Sequence, residues 1–267
     1  MEFLNRVNAP FGNGVWSEID STLNEFLSKR LNIRGIVDFN ENYDYNDDAI
    51  STKAINEVSN KKGLSISTRE PIKMAEIKKV FSIPKSVIED IKRGIEDYDD
   101  SSLANAANEF ATVENDMILN GLKEANIQGI ISNKEVPSLD VSSTKEILSG
   151  VAQSLGVFNK NFVDGNFKLI ISNNTLASLY TQFFDGISVK TKIDDILGQG
   201  NIVVNKDIGD KKALLVSQRG GDFELFSGLD VSLGFEKETK DDIELFLIQT
   251  SAFRITGPEG AVLLNIK

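Results

Sequence analysis

The chain has no cysteine and no histidine among its 267 residues. Without cysteine there is no disulfide, no thiolate metal site and no cysteine nucleophile. Without histidine the commonest general base, the Ser-His-Asp arrangement and imidazole metal ligation are gone. Carboxylate, lysine or tyrosine chemistry remains open, so these absences lower the standing of a hydrolase without excluding catalysis. No apolar run reaches transmembrane length, and the start, MEFLNRVNAPFGNG, lacks the charged-apolar-small order of a secretory leader. The expectation is a cytoplasmic chain that meets no membrane. Basic blocks are missing too: Lys78-Lys79 and Lys211-Lys212 are isolated pairs, and the net charge is −11. Such a surface repels phosphate backbones, so no nucleic-acid partner is expected.

What is present is an ordinary globular composition, 40% hydrophobic and 26% charged, long enough for one large domain or two smaller ones. The stretch from Ser101 to Ser132 predicts a long helix. Leu103, Ala107, Phe110, Val113, Met117 and Leu122 recur at steps of three to five, no Gly or Pro intervenes before Gly121, and Ser101 and Ser102 suit a helix start. About twenty residues span on the order of 30 Å, a spine on which sheets can pack. Upstream, Trp16, Ile19, Leu23, Phe26, Leu27 and Leu31 mark another helix. Arg34–Phe39 (RGIVDF) reads as a short strand on which Arg34 and Asp38 share a face; as a surface ion pair they would contribute little.

Leu64, Ile66 and Thr68 alternate with polar residues, which marks a half-buried strand, paired with residues 55–58 around a loop ending in Gly63. A strand is expected within 72–83, and a helix opening at Pro84 and stopping at Gly94. Ser143 and Glu146 fit a capping box for a helix that Gly156 ends. Then come a strand at 167–172, a helix from Thr175 to Phe184 capped by Asn173 and Asn174, a short helix at 189–197 ended by Gly198, and strands at 201–205 and 213–218. This alternation indicates an α/β block. Gly220-Gly221 and Gly228 supply turns with positive φ, and strands follow at 241–256 and 261–266.

Four phrases carry a resemblance. They are MEFL with Ala9-Pro10, Trp16 with Glu18-Ile19-Asp20, the spine residues Phe110, Glu114, Asp116, Ile118 and Gly121 followed by Gly129–Ser132, and VSQRGGDFELFSGLDVSLGF at 216–235. Together they resemble the encapsulins, shell proteins that share the major capsid fold of tailed phages. The resemblance implies an α+β chain. Residues 1–48, 72–135 and 223–267 would form a peripheral domain with spine helix and sheet, 49–71 an extended β-hairpin loop lying on a neighbouring subunit, and 136–222 an axial α/β domain.

It also implies a function. Many copies would close an icosahedral shell around a cargo enzyme, ferritin-like or a peroxidase, with iron storage among the roles. A short terminal peptide of the cargo would dock in an inner groove, for which Leu31, Arg34, Asp38, Asp230, Val231 and Leu233 are candidates; Asp230 is equally readable as a turn residue bonding its own backbone. The loop Gln182–Ser188 would line a pore, with Phe184, Asp185, Gly186, Ile187 and Ser188 as candidate lining residues. Some members stack a flavin on a Trp in the helix after Pro84. The matching position here is Ser86, so no cofactor is expected, and no metal or catalytic residue. The first alternative is a prophage major capsid protein, disfavoured by the acidic charge and the lack of a scaffolding segment; ranked below it is a protease or bacteriocin, because no phrase places Ser-Lys, Thr or carboxylate groups together.

Overall fold

A computed structural model describes residues 2–52, 55–61 and 64–267, with side chains described for all of these except 2 and 55–61. The expected Gly63 turn therefore lies outside the described residues. The chain divides into two compact units: Met1–Leu31, Asn40–Glu114 and Phe226–Ala252 form one, and Asn32–Phe39, Asn115–Leu225 and Phe253–Lys267 the other.

The first unit is organised by helix α1 (Asn13–Arg30), helix α2 (Lys85–Lys92) and the front of helix α3 (Ser101–Leu119). Their apolar stripes share a core with Leu233, Phe235, Ile243, Leu245 and Leu247. The strand Ala75–Pro84 pairs antiparallel with Asp242–Ile255, from Ala75 opposite Ser251 to Pro84 opposite Asp242. Within this unit, residues 226–238, 242–252 and 75–84 lie side by side in that order. Phe246 and Ile248, on the other face of their strand, form a second cluster with Leu229, Phe3 and Leu4. Both faces are thus buried, as their near-continuous apolar sequence requires.

The spine helix is where the sequence places it, with two corrections. Ser101 is already helical: its N–H donates to Asp99 Oδ1, and Ala104 N–H donates to the Asp100 carbonyl. Val113 faces outward, while Ala106, Ala111, Ile118 and Leu119 join the buried stripe. After the helix, Gly121 (φ +89) and Gly129 sit backbone against backbone in a two-strand pairing, where a Cβ on either would strike main-chain atoms of the other's neighbourhood. That close approach explains why both glycines belong to the motif.

The second unit holds a five-stranded sheet in the order 202–204, 167–171, 212–217, 261–266, 138–141. Helices α4 (Ile147–Lys160), α5 (Asn173–Thr181) and α6 (Val189–Leu197) cover it through Ile147, Val151, Phe158, Leu179 and Ile193. Gly156 does not end α4: the helix continues to Lys160 because Phe158, fully buried and stacked on Phe167 at 4.7 Å, outweighs the roughly 1 kcal/mol that a mid-helix glycine costs. At its start the Glu146 carboxylate accepts from Ser142 N–H, one residue earlier than the expected box. Helix α5 is capped by Ser172, whose hydroxyl accepts from Thr175 N–H at 3.1 Å, not by Asn173 or Asn174, and it stops at Thr181.

Two other expectations change. Residues 34–36 are a 3-10 turn and only Asp38–Asn40 is strand, so the shared-face argument for Arg34 and Asp38 has no strand to stand on. Gly228 lies inside a long strand without positive φ; it is needed because a Cβ there would meet the Asp44 carbonyl and Thr250 Oγ1. The ribbon Ile55–Lys61 with Leu64–Arg69 forms as expected, with a bulge between Glu57 and Ser59. Its second strand is exposed along its whole length in this chain, rather than half-buried.

Candidate functional site

The residues expected in a peptide groove divide between the units, and each group is described within its own. In the first unit, Leu31 closes α1, its N–H donating to the Leu27 carbonyl at 2.8 Å, and it packs with Val231 against the core to which buried Leu233 belongs. Arg6 fastens the same region. Its guanidinium is bidentate to Asp20 at 2.7 and 2.8 Å, donates from Nε to the Leu233 carbonyl at 2.8 Å, and lies over the Trp16 ring at 4.5 Å. Asp230 Oδ1 accepts from Val231 N–H at 2.7 Å, the local backbone contact that was the other reading of this residue.

In the second unit, the segment Asn32–Phe39 is tied down by side chains reaching its carbonyls. Lys168 Nζ donates to Gly35 O at 2.8 Å and Gln218 Nε2 to Ile36 O at 3.0 Å, while Asn32 bonds both Val204 O and Asn205. Arg34 stacks its guanidinium over Phe39 at 4.5 Å. Asp38 accepts from Gly221 N–H, so its carboxylate caps the glycine turn. Beside it lies a cavity of about 50 Å³, lined by residues such as Ile36, Gln218 and Phe223, with room for a few waters.

The glycine turn belongs to a clamp that sequence reasoning treated as a turn alone. Gly220 and Gly221 have φ of +84° and +81°. Arg219 reaches Asp222 with two bonds of 2.7 Å and Glu259 with one of 2.8 Å. The Asp222 carboxylate, with Glu259 behind it, holds the Arg219 guanidinium charged above its usual range. Asp222 is buried, and its carbonyl accepts from Thr256 and Gly257 N–H. Gly257 and Gly260 leave the space that its carboxylate fills. The signal was in the phrase Arg-Gly-Gly-Asp with a distant Pro-Glu-Gly, but nothing in the sequence says that these two stretches meet.

The expected pore residues form one compact feature. Phe183–Phe184 pairs antiparallel with Ile187–Ser188, and the two-residue turn between them has φ of +51° at Asp185 and +76° at Gly186. This is the geometry that suits the right-handed twist of a hairpin. Phe184 and Ile187 stand opposite each other. Ser188 then caps α6, accepting from Thr191 N–H at 3.1 Å. Lys192 lies over the Phe184 ring at 4.6 Å and 3.9 Å from Asp185.

One feature of the first unit had no sequence signal: a groove of about 510 Å³ at the start of α1, lined by residues that include Gly12, Val15, Glu18, Ile91, Ile95 and Glu96. Among the described residues, no group of three or more Asp or Glu could hold a metal ion, and no helix is long and apolar enough to cross a membrane.

The fold is that of the tailed-phage major capsid proteins. The virus-like particle of Pyrococcus furiosus superposes with a TM-score of 0.65 at 19% identity, over 92% of this chain and 98% of that one. The capsid of the myovirus XM1 follows at 0.59 and 8%, over 88% and 90%. At such identities the likeness establishes the fold. The family comes from sequence: the model described as encapsulating protein for peroxidase, Linocin_M18, matches residues 1–252. The chain belongs to this family, that of the encapsulin shell proteins. Type 1 encapsulin shell proteins of Brevibacterium linens and Rhodospirillum rubrum are 29% and 28% identical to it. The first is covered over 100% of both chains, the second over 99% of this chain and 97% of that one. That of Mycobacterium tuberculosis is 26% identical over 99% of this chain and all of its own.

Proposed function

We propose that this chain is the repeating subunit of a closed protein shell that confines a cargo enzyme and performs no catalysis itself. The observation that carries the reading is the family match over residues 1–252 on a chain with the capsid fold. The exposed ribbon supports it. A two-stranded hairpin is marginal in water, and Leu64 is 69% exposed in the isolated chain; lying across a neighbouring copy, it would bury that side. The expected division into peripheral, loop and axial parts goes with this reading.

Inside such a shell, Leu31 and Val231 would offer apolar contacts to a short cargo peptide, Leu233 supporting them from within the core, and Arg34, Asp38 and Asp230 would offer charges that orient it. The hairpin from Phe184 to Ser188 would border an opening that limits which solutes pass. The family description names a peroxidase, and a peroxidase or ferritin-like enzyme, the latter with an iron-storage role, is the cargo class in this proposal. A cytoplasmic location goes with it. A prophage capsid is the second reading, because phage capsids share the fold, but a net charge of −11 suits a genome container poorly.

Light scattering and electron micrographs of the purified protein test the proposal. Hollow particles far heavier than one 29.4 kDa chain are expected, with an enzyme co-purifying from the native host. A stable monomer at working concentration would overturn it, and packaged DNA would favour the phage reading.

A further inference from the structure

In the first unit, strand 226–238 has 242–252 on one side, and no strand among the described residues of this unit lies along its other edge. Such an edge is a template for pairing with another chain. The stretch 225–235, LFSGLDVSLGF, holds one acid and no Pro, Lys or Arg, so its own sequence supplies few of the usual deterrents. Alternate residues of a strand turn their N–H and C=O to the same side. At three alternate positions, main-chain groups are met by side chains instead of by a strand. Val231 N–H donates to Asp230 Oδ1 at 2.7 Å, the Leu233 carbonyl accepts from Arg6 Nε at 2.8 Å, and the Phe235 carbonyl accepts from Asn5 Nδ2 at 3.3 Å.

Two of these three plugs come from the N-terminal arm, which is pinned on either side of them. Asn5 sits at φ +54°, a left-handed conformation that asparagine tolerates better than most residues. Its Oδ1 accepts from Asn8 Nδ2, which leaves its own Nδ2 for the strand. Before it, Phe3 stacks on Tyr45 at 4.1 Å and packs with Leu4 against Leu229, Phe246 and Ile248. After it, Arg6 holds Asp20 with two bonds and lies over Trp16. We propose that this arm is an edge guard: Asn5 and Arg6 close strand 226–238 against strand addition, and the partner they exclude is the same edge of a second copy of this chain. Two identical edges laid antiparallel match N–H to C=O whatever their side chains, so a second copy always fits. The net charge of −11 slows the approach of two copies, but it is screened beyond about 8 Å at physiological salt, so the edge must be guarded locally. This inference stands apart from the shell reading.

Refolding of the full-length chain from denaturant over a range of concentrations tests it, because folding is first-order in chain and edge pairing second-order. The double variant Asn5→Ala, Arg6→Ala should keep the native circular dichroism. It should form thioflavin-positive, cross-β aggregate at a chain concentration about tenfold below that of the native chain, the shift in open-edge population that loss of a charge-assisted hydrogen bond gives. Arg219→Ala removes an equally bidentate arginine from the second unit and should aggregate only where the native chain does. If the double variant lacks the native dichroism, Asn5→Ala alone carries the test: it leaves the Arg6–Asp20 pair in place and should give a smaller shift of the same sign. A threshold unmoved by the loss of the plugs, an equal shift in Arg219→Ala, or aggregate without cross-β order overturns the inference. None of these readouts needs particles, so a chain that forms none defeats the shell reading alone.

Discussion

The strand Leu64–Arg69 of the ribbon and the five-stranded sheet of the second unit are both β-structure, but only the sheet is sheltered by its own chain. In the sheet, Leu169, Ile171, Leu215, Val262 and Leu264 face a helical layer, and Ile170, Leu214 and Val216 on the opposite face are equally buried. In the ribbon, the strand 64–69 is exposed throughout. Burial at about 25 cal/mol per Å² of apolar surface stabilises the first within a single subunit; Leu64 and Ile66 of the second stay exposed and gain nothing of that kind from their own chain. Under the proposed shell reading, the contrast separates what folds the subunit from what would join subunits.

The sharpest way to test that division is to damage the sheltered side. Phe158→Ala, on the buried face of α4, should cost about 3–5 kcal/mol of subunit stability, read as a lower urea midpoint. Arg219→Ala leaves buried Asp222 without its partner. Because Arg219 retains some solvent contact, the expected loss is about 2–3 kcal/mol rather than the full cost of an orphaned buried charge. Ser172→Ala removes the α5 cap and should cost about 1 kcal/mol in the same measurement.

Acidification should act on the subunit in a defined direction. Asp210, through hydrogen bonds from Ser172 and Asn174, and Asp140, through Lys267 and Asn265, are held below the ordinary carboxylate range. A group bound more weakly to its proton when folded contributes stability that is present above its unfolded value and lost as pH falls through the folded one. Denaturant midpoints should therefore decline as pH falls through and below the ordinary carboxylate range, and Asp210→Asn should flatten part of that decline. The smallest subunit effect is expected in the ribbon. Ile66→Ser should stay within about 0.5 kcal/mol for the dissociated chain, while lowering the temperature at which assembled particles come apart. An equal loss in both would erase the contrast.

Much of the architecture was legible from spacing. The α1 stripe, the long run beginning near Ser101, the Asp185-Gly186 turn and the Gly198 stop were all readable because each is a local matter of period, cap or positive φ. The misreadings were local signals overruled by distant partners. Gly156 looked like a terminus until Phe158 found Phe167. Gly228 looked like a turn until Asp44 and Thr250 proved to approach it. Asp38 was taken with Arg34 because they are neighbours in sequence, yet its carboxylate serves Gly221, far along the chain. Of the proposed groove, Leu31 was readable as a member of the α1 stripe, Val231 and Leu233 came only from the resemblance, and the roles of the charged members depend on who lies opposite.

The sequence by itself determined the family, the capsid-type fold and the helical and strand segments, because these follow from motif wording and from periodicities that each segment carries alone. Only the tertiary structure decided that Ala261–Ile266 lies between 212–217 and 138–141, that Arg219 closes on Asp222 and Glu259, and that the rings of the 183–188 hairpin are left exposed. Those outcomes depend on loop closure over long separations, where the gain lies in contacts between residues that share no local pattern.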